Sequence, residues 1–347
     1  ADGVPAGDGD TYGRQEMLRF ALLGAGRIGR MHADNLAALP NAELGCVFDV
    51  YEPAAREVAE KHGAKMAGDV EEALSNDIDA VLIASSTDTH VDLIAAAARA
   101  GKAVLCEKPI DLDIDRVDNC QQEIAGFGVP VQIGFNRRYD PTHKAVRDAA
   151  AGGEIGDIHQ VIISSRDPDL APMAYLKVSG GLYRDMMIHD FDMARYVMGE
   201  DPVELSAIGS VLVESELKSI EDVDTAMVMM RTASGIQCHI NCSRRAVYGY
   251  DQRLEVFGSK GMLRSDNRRP TNLERYTETA TAAREPLTHF FIDRYPEAYV
   301  AELSDFIDAV TSGREPSVTF EDGRRALILA DAANESLRTG RTVQVSY

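Results

Sequence analysis

The sequence has no excess of basic residues and no long apolar runs. Its 347 residues include 36 Lys and Arg against 56 Asp and Glu, a formal net charge of −20. Such a charge argues against nucleic acid or an anionic membrane as a partner. No window approaches the roughly 18 unbroken apolar residues that a membrane span needs. Residues 1–17 lack the basic and apolar regions of a signal peptide, so we expect a flexible tail.

Cysteine is scarce, and none of the five cysteines forms a C-x-x-C pair. Their odd number suits a reducing compartment and predicts a cytoplasmic protein. Cys238 and Cys242 share one face of a predicted strand, but the sequence offers no second ligand pair for zinc. Internal repeats and low-complexity linkers are lacking as well. The length, with 45% hydrophobic residues, predicts two domains with real cores.

The segment LRFALLGAGRIG carries the strongest motif. An apolar strand is followed by a G-x-G-x-x-G spacing and then by an amphipathic helix pattern; the glycines are Gly24, Gly26 and Gly29. In a dinucleotide-binding turn they permit the tight turn, the approach of a pyrophosphate, and close packing of helix on strand. The N–H groups near Arg27 and Ile28 would face the phosphates. An ordinary strand-turn-helix unit is the alternative, and the context favours the dinucleotide.

Asp49 ends the second apolar strand, LGCVFD, about 20 positions after the third glycine, the spacing of the acidic residue in dinucleotide folds. A carboxylate at this position accepts hydrogen bonds from the ribose hydroxyls of NAD and repels the 2′-phosphate of NADP. Arg56 lies nearby in sequence and could meet such a phosphate, although it also fits a solvated helix residue. NAD is therefore the predicted cofactor.

Strand and helix patterns alternate through residues 18–137, with strands FALLG, LGCVFD, AVLIAS, AVLCEK and VQIGF. This alternation predicts an α/β Rossmann domain whose parallel sheet binds its ligand at the carboxyl ends of the strands. Longer alternating runs follow, such as HQVIISSRD and VDTAMVMMRT, with helix patterns beside them. They predict that residues 138–347 form an α+β domain with a large, mostly antiparallel open sheet.

Polar residues follow two of the predicted parallel strands. One strand is followed by Ser85, Ser86 and Thr87, with His90 opening the next helix. These hydroxyl residues can line a nicotinamide ribose or form a plain turn and helix cap. The next strand ends in Glu107 and Lys108 directly before Pro109, which fixes the local backbone and is a candidate for a cis bond. A lysine held at this edge predicts a part in the site.

The helix pattern GGLYRDMMIHDFDMARYVMG carries the second group of candidates. Asp185 and His189 are four residues apart, and a continuous helix places them on one face, which Asp192 continues. Histidine accepts protons near neutral pH, and a carboxylate one turn away can orient it. A structural histidine is one alternative. A metal site with Asp190 is another, although Asp190 points to a different face and also fits an acidic surface.

The chain resembles the glucose-fructose oxidoreductase, inositol dehydrogenase and rhizopine-catabolism (Gfo/Idh/MocA) family from about residue 18 to its end. The motifs that carry this resemblance are GAGRIGRMHADNL, the E-K-P of CEKPI, GFNRRYDP, GGLYRDMMIHDFDMARY and YGYDQRLEVFGSKG. Within the family, SRDP, VSGGLYRDMMIHDFDMAR and SRRAVYGYD are most similar to bacterial inositol 2-dehydrogenases. The resemblance implies NAD-dependent oxidation of myo-inositol to 2-keto-myo-inositol (scyllo-inosose).

The resemblance also implies the roles of residues. His189 would be the general base, Lys108 would polarise the reacting oxygen, and Asp185 would pair with both. The implied substrate contacts are Arg137, Asp167, Asp192 and Tyr250. Arg137 and Tyr250 fit a structural ion pair and a sheet residue equally well. Some inositol dehydrogenases have histidine and asparagine where this chain has Ser165 and Asp167, so its choice of stereoisomer can differ.

Family members commonly form homotetramers through the open sheet face, and the resemblance implies the same here. Two other functions stay open at this point. The nearer one is a related dehydrogenase of scyllo-inositol, chiro-inositol or an aldose. The remoter one is a non-catalytic NAD-binding regulator, against which the complete set of Lys108, Asp185 and His189 argues.

Overall fold

The computed structural model describes residues 17–75 and 77–347. The predicted flexible tail therefore lies, apart from Met17, outside the described residues. Within the described part of the chain, no helix is both long enough and apolar enough to cross a membrane.

The first part of the described chain alternates strand and helix, as the apolar runs predict. The strands are β1 (Leu18–Leu23), β2 (Ala42–Phe48), β3 (Lys65–Met66), β4 (Ala80–Ile83), β5 (Ala103–Glu107) and β6 (Val131–Gly134). The helices are α1 (Arg27–Ala38), α2 (Glu52–His62), α3 (Val70–Ala73), α4 (His90–Arg99) and α5 (Ile114–Ile124). The strands pair in parallel in the order β3-β2-β1-β4-β5-β6. This is the Rossmann order, and the predicted fold class is confirmed.

The second part builds a larger sheet. Its strands and short ribbons are β7 (Ile158–Arg166), β8 (Pro202–Ser210), β9 (Thr225–Thr232), β10 (Gln237–Ser243), β11 (Asp251–Gly258), β12 (Gly261–Arg264), β13 (Glu274–Arg275), β14 (Ala283–Arg284) and β15 (Val343–Gln344). The sheet order is β12-β11-β7-β10-β9-β8-β15, with β13 and β14 paired separately. β7 and β10 run parallel and their other neighbours antiparallel, so the mostly antiparallel sheet is confirmed.

Seven helices accompany this second part in the described residues: α6 (Pro141–Ala151), α7 (Met173–Leu176), α8 (Gly181–Asp185), α9 (Ile188–Met198), α10 (Phe291–Arg294), α11 (Pro296–Ser312) and α12 (Phe320–Thr339). Phe191 of α9 and Leu329 of α12 belong to the apolar core on one face of the large sheet. Alternate residues of the strands point to the other face, where Met227, Met229 and Ile208 are exposed. One face is thus covered and the other left open.

The C-terminal helices also contribute to the first sheet. Leu303 and Phe306 of α11 pack in the same core as Phe20 of β1, with the two phenylalanine rings 6.1 Å apart. The N–H of Ile133 in β6 donates to Val318 O at 3.2 Å. The chain therefore returns to the Rossmann unit after building the large sheet. The predicted division at residue 137 stays a prediction.

The long helix predicted over residues 180–199 is two helices, α8 and α9. At the junction the N–H of Met187 donates to Leu182 O, five residues back, so the turn holds one residue more than an α-turn. An extra residue rotates everything that follows by about 100° relative to a continuous helix. Asp185 ends α8, whereas His189 and Asp192 lie on α9. The expectation that all three share one face of a continuous helix is therefore wrong for Asp185.

Candidate active site

The glycine turn after β1 has the shape that a bound pyrophosphate requires. Gly24 has φ +104°, and a Cβ there would lie 2.5 Å from the backbone of Ala84. A Cβ on Gly29 would lie 1.9 Å from Gly24 O, so the close packing of α1 on β1 depends on glycine. Around Gly26, by contrast, no described atom lies within 4 Å of the position of a Cβ. This open side is where a phosphate can approach the backbone.

The N-terminus of α1 is free to bind that anion. Gly26 is the N-cap and supplies no side chain, and within the described residues no carboxylate occupies the first turn. The N–H groups near Arg27 and Ile28, at the positive end of the helix dipole, are therefore available to bind an anionic ligand. The guanidinium of Arg27 lies 5.7 Å from the ring of Phe290, which brings the second half of the chain to the same edge. These residues fit the phosphates of NAD.

Asp49 lies beside this turn, directly after β2. Its Oδ2 accepts from the N–H of Ala25 at 2.6 Å, and its Oδ1 accepts from the N–H of Tyr51 at 2.8 Å. The carboxylate is thereby fixed at the edge of the glycine turn, where the fold places the adenosine ribose. Arg56 is an exposed residue of α2.

The residues after β4 form a turn that His90 fastens to the loop after β5. Ser85 Oγ bonds Thr89 Oγ1 at 2.7 Å, and Ser86 and Thr87 begin a short 3₁₀ turn. The ring of His90 is 1% exposed, with Nδ1 2.8 Å from Pro109 O and Nε2 3.2 Å from Ser85 O. Because burial lowers its pKa, the ring is neutral, and a neutral imidazole can donate to only one of these two carbonyls. His90 therefore ties the two loops together.

Glu107 and Lys108 leave β5 in different directions. Glu107 Oε1 lies 2.8 Å from Nε2 of the buried His32, which ties the end of β5 to α1. The peptide bond between Lys108 and Pro109 is cis. Lys108 Nζ donates to the backbone oxygen of Asp185 at 2.8 Å and lies 3.7 Å from its Oδ1. The two halves of the chain thus meet at this pair.

His189 enters the same region from α9. Its ring stacks edge-on against Phe135, with centroids 5.9 Å apart, and its Nδ1 is buried without a hydrogen-bond partner among the described residues. Burial, Arg137 and Lys108 all lower the pKa of this imidazole well below its usual value. The ring is therefore neutral at neutral pH. Among the described residues no hydrogen bond joins Nδ1 to Asp185, so their predicted pairing stays a prediction, and the charges that act on the imidazole are those of Arg137 and Lys108.

Arg137 anchors a buried hydrogen-bonded group. Its Nη1 donates to Asp190 Oδ1 at 2.7 Å and to Ser165 Oγ at 3.3 Å, and its Nη2 donates to Tyr250 OH at 3.3 Å. Asp190 is fully buried, so its reading as an acidic surface residue is wrong. Burial raises the pKa of Asp167 to about 6, against the nearby charge of Arg137.

Asp192 lies elsewhere, which corrects its predicted contact with a substrate. Arg138 Nη2 donates to Asp192 Oδ1 at 2.5 Å and Arg138 Nε donates to Oδ2 at 2.8 Å, with both side chains buried. Both carboxylate oxygens are therefore engaged in a structural pair. The acids proposed as a metal site, Asp185, Asp190 and Asp192, instead each face a different arginine: Arg244, Arg137 and Arg138.

Known proteins match this chain over nearly its whole length. The family model described as "Oxidoreductase family, NAD-binding Rossmann fold" matches residues 18–135, and the one described as "GFO/IDH/MocA C-terminal domain" matches residues 143–264. The inositol 2-dehydrogenase of Rhizobium meliloti (strain 1021) is 47% identical over 330 residues, covering 95% of this chain and 99% of that protein. The chain belongs to the Gfo/Idh/MocA oxidoreductase family.

Two solved structures of inositol dehydrogenases have the same fold as this chain. The myo-inositol dehydrogenase from Corynebacterium glutamicum ATCC 13032 superposes with a TM-score of 0.92 at 45% identity, covering 95% of this chain and 99% of that chain. The myo-inositol dehydrogenase from Lactobacillus casei, in complex with NAD(H) and myo-inositol, superposes with a TM-score of 0.86 at 25% identity, covering 95% and 97%. The NAD-binding Rossmann fold predicted for this chain is thus confirmed at the level of the family.

Sequence reasoning missed two residues of this Gfo/Idh/MocA site. Arg244 is buried and its Nη1 donates to Asp185 Oδ2 at 3.3 Å, while Tyr175 OH donates to Asp185 Oδ1 at 2.7 Å. Arg244 could have been found, because it continues the inward positions of Cys242 in an alternating strand and a buried arginine needs an anionic partner. Tyr175 belongs to a short helix with no periodic pattern, and the sequence carries no such signal for it.

Proposed function

We propose that this protein oxidises myo-inositol to 2-keto-myo-inositol with NAD as the acceptor. The names of its relatives support this substrate, and the glycine turn with Asp49 fits the cofactor. The observation that carries the proposal is the meeting of Lys108, Asp185 and a neutral His189 where the two halves of the chain join. These are the groups that removal of a proton and a hydride from a secondary alcohol needs.

Each of the three residues has a role that follows from its charge. NAD, when bound, would supply the redox chemistry as the hydride acceptor. His189 takes the proton of the reacting hydroxyl, and its lowered pKa keeps it unprotonated until the substrate arrives. Lys108 stabilises the negative charge that develops on the oxygen. Asp185 holds Lys108 through its backbone oxygen and its carboxylate.

The remaining hydroxyls of the ring need partners that donate and accept. We propose Asp167 as an acceptor, with Arg137 and Tyr250 forming the buried wall behind it. Asp192 is omitted, because Arg138 occupies both of its oxygens. Ser85, Ser86 and Thr87 line the cofactor side at the end of β4.

Spectrophotometry tests the function directly. The purified full chain is mixed with NAD and, in separate reactions, with myo-inositol, scyllo-inositol, chiro-inositol and an aldose. We expect NADH absorbance to rise with the highest kcat/KM for myo-inositol. A higher value for another ring would reassign the substrate, and no NADH with any polyol would favour a non-catalytic NAD-binding regulator.

The pH profile should separate Asp167 from His189. Burial raises the pKa of Asp167 to about 6, whereas the pKa of His189 is lowered well below its usual value. As the pH falls through about 6, Asp167 gains a proton and stops accepting from the substrate while the base stays free. We expect kcat/KM to fall there. Asp190, which accepts from Arg137, is a second carboxyl whose pKa burial raises to about 6. Asp167→Asn should be slow at neutral pH and lack this inflection, whereas Asp169→Asn, an exposed neighbour, should retain it. An inflection near 6 in Asp167→Asn would move the assignment to Asp190 and contradict ours.

Asp49→Ser tests the choice of cofactor. Asp49 would supply a charged acceptor for the ribose hydroxyls, and a hydrogen bond to a charged group contributes about 1.5–3 kcal/mol. Its loss should therefore raise KM for NAD by about 10- to 100-fold. Removal of the repulsion should raise kcat/KM with NADP. Asp34→Ser, which removes an exposed carboxylate on α1, serves as the control. An unchanged preference in Asp49→Ser would exclude Asp49 as the selecting residue.

We also propose a homotetramer built on the open sheet face. The exposed apolar side chains of this face are Ile162, Ile208, Met227, Met229, Phe257 and Met262. Exposed apolar side chains gathered on one face of a sheet mark a contact site. Light scattering on the wild type should give four times the chain mass, and Met229→Asp should lower it. Phe127→Asp, at another exposed apolar residue, after α5, should leave the mass unchanged; equal masses in all three would reject this face.

A cytoplasmic location is proposed on the chemistry of the thiols. Cys46, Cys106, Cys120, Cys238 and Cys242 are buried and free of disulfide bonds within the described residues. Reduced, buried thiols in this number suit a compartment that keeps cysteine reduced.

A further inference from the structure

Tyr175 reaches the candidate active site from outside both sheets. It belongs to α7, in the segment that connects β7 with α8, and its side chain is part of the surface, with the residue 47% exposed. Its hydroxyl, however, points inward and donates to Asp185 Oδ1 at 2.7 Å. Burial of the hydroxyl and the Asp185 carboxylate raise the pKa of Tyr175. The phenol is therefore a neutral donor at neutral pH.

Asp185 does not depend on this hydroxyl for its position. Its Oδ2 accepts from Nη1 of the buried Arg244 at 3.3 Å, and Arg244 Nη2 is in turn 3.5 Å from Asp222 Oδ2. Its backbone oxygen accepts from Lys108. Lys108 Nζ is 3.7 Å from Oδ1, longer than a hydrogen bond. Tyr175 is thus the one described donor within hydrogen-bond distance of Oδ1, on the solvent side of the pair.

A hydroxyl donor and a carboxylate acceptor bonded to each other match the needs of one alcohol group. A ring hydroxyl can donate to a carboxylate and at the same time accept from a phenol. Insertion of such a hydroxyl between Tyr175 OH and Asp185 Oδ1 would replace their mutual bond without leaving either group unpaired. A ring that lacks this hydroxyl leaves the pair as it is and gains nothing.

We propose that Tyr175 binds the substrate and selects for a hydroxyl next to the reacting carbon. The inference rests on the proposed function, because it assumes a polyhydroxylated ring beside Lys108 and Asp185. Tyr175 acts on binding: the proton still leaves to His189, and the cation at Lys108 still meets the developing charge.

The test compares wild type, Tyr175→Phe and the control Tyr276→Phe as full chains with NAD. Tyr276 is exposed beside β13 and its hydroxyl bonds only Glu274 in the described structure. Loss of one neutral hydrogen bond should raise KM for myo-inositol about 5- to 10-fold in Tyr175→Phe, while kcat stays near wild type. The control should match wild type. Thermal melting and NADH binding check that each variant is folded.

A substrate analogue sharpens the result. With myo-inositol and a cyclitol lacking one hydroxyl next to the reacting carbon, the wild type should discriminate about 10-fold, and Tyr175→Phe should discriminate less. A fall in kcat with KM unchanged would mean that Tyr175 only orients Asp185, and would overturn the proposal. Equal kinetics in wild type and Tyr175→Phe would overturn it too. Wild type inactive on every polyol would overturn the proposed function first, and this inference with it.

Discussion

His189→Ala is expected to lower kcat with myo-inositol and NAD by about 10²- to 10⁴-fold, the range that a positioned general base contributes. Burial, Arg137 and Lys108 lower the pKa of the imidazole well below its usual value. The imidazole is therefore neutral when the substrate binds and can accept a proton. Alanine removes the acceptor, and the proton of a weakly acidic alcohol then has no nearby base.

Steady-state kinetics with a parallel NADH titration measures this effect. The cofactor turn lies on β1 and α1, away from α9, so the affinity of His189→Ala for NADH should equal that of the wild type. His159→Ala replaces an exposed histidine of β7 and should keep full activity. If His189→Ala retained most of its turnover, the base would have to be another group.

Lys108→Met is expected to lower kcat by about 10²- to 10³-fold, the cost of removing one preorganised donor from a developing oxyanion. Methionine retains the length of the side chain but carries no charge. The charge of Lys108 is one of the causes that lower the pKa of His189. Loss of this charge should therefore raise the pKa of His189. On acidification, the imidazole should then become protonated, and activity should fall, at a higher pH than in the wild type.

The pH shift of Lys108→Met is best measured in combination with Asp167→Asn, because that replacement removes the inflection expected near pH 6. Lys144→Met, at an exposed lysine that pairs with Asp148, is the matched control and should behave as wild type. A Lys108→Met enzyme with normal kcat would place the lysine outside the reaction. If kcat fell but the pH at which activity is lost on acidification stayed the same, the charge of Lys108 would not influence the pKa of His189.

The Rossmann half was predictable because its signals are local. Strand β1, the glycines after it and Asp49 lie in one stretch of chain, and the backbone itself dictates where glycine is required. The large sheet was predictable for a similar reason, since alternation along β9 and β10 marks one buried face. The short strands β3 and β15, of two residues each, are too brief to form a pattern.

The candidate site was predictable only in part, because it depends on a helix junction. The extra residue in the turn at Met187 rotates α9 and brings Asp190 toward Arg137, while Asp192 turns to Arg138. An apolar periodicity runs through Met186 and Met187 without a break, so the sequence indicates one helix. Amphipathic patterns also show which face of α11 is buried but not which sheet covers it, and its packing on β1 was not foreseen.

We propose that Lys108 and His189 act on one alcohol of the substrate, opposite the nicotinamide. A crystal structure of the protein with NAD and myo-inositol would show whether they do. We predict a single ring oxygen within hydrogen-bond distance of both Lys108 Nζ and a ring nitrogen of His189, with its carbon facing the nicotinamide C4. A cyclitol bound with its ring away from either side chain, or with no carbon near C4, would contradict the account.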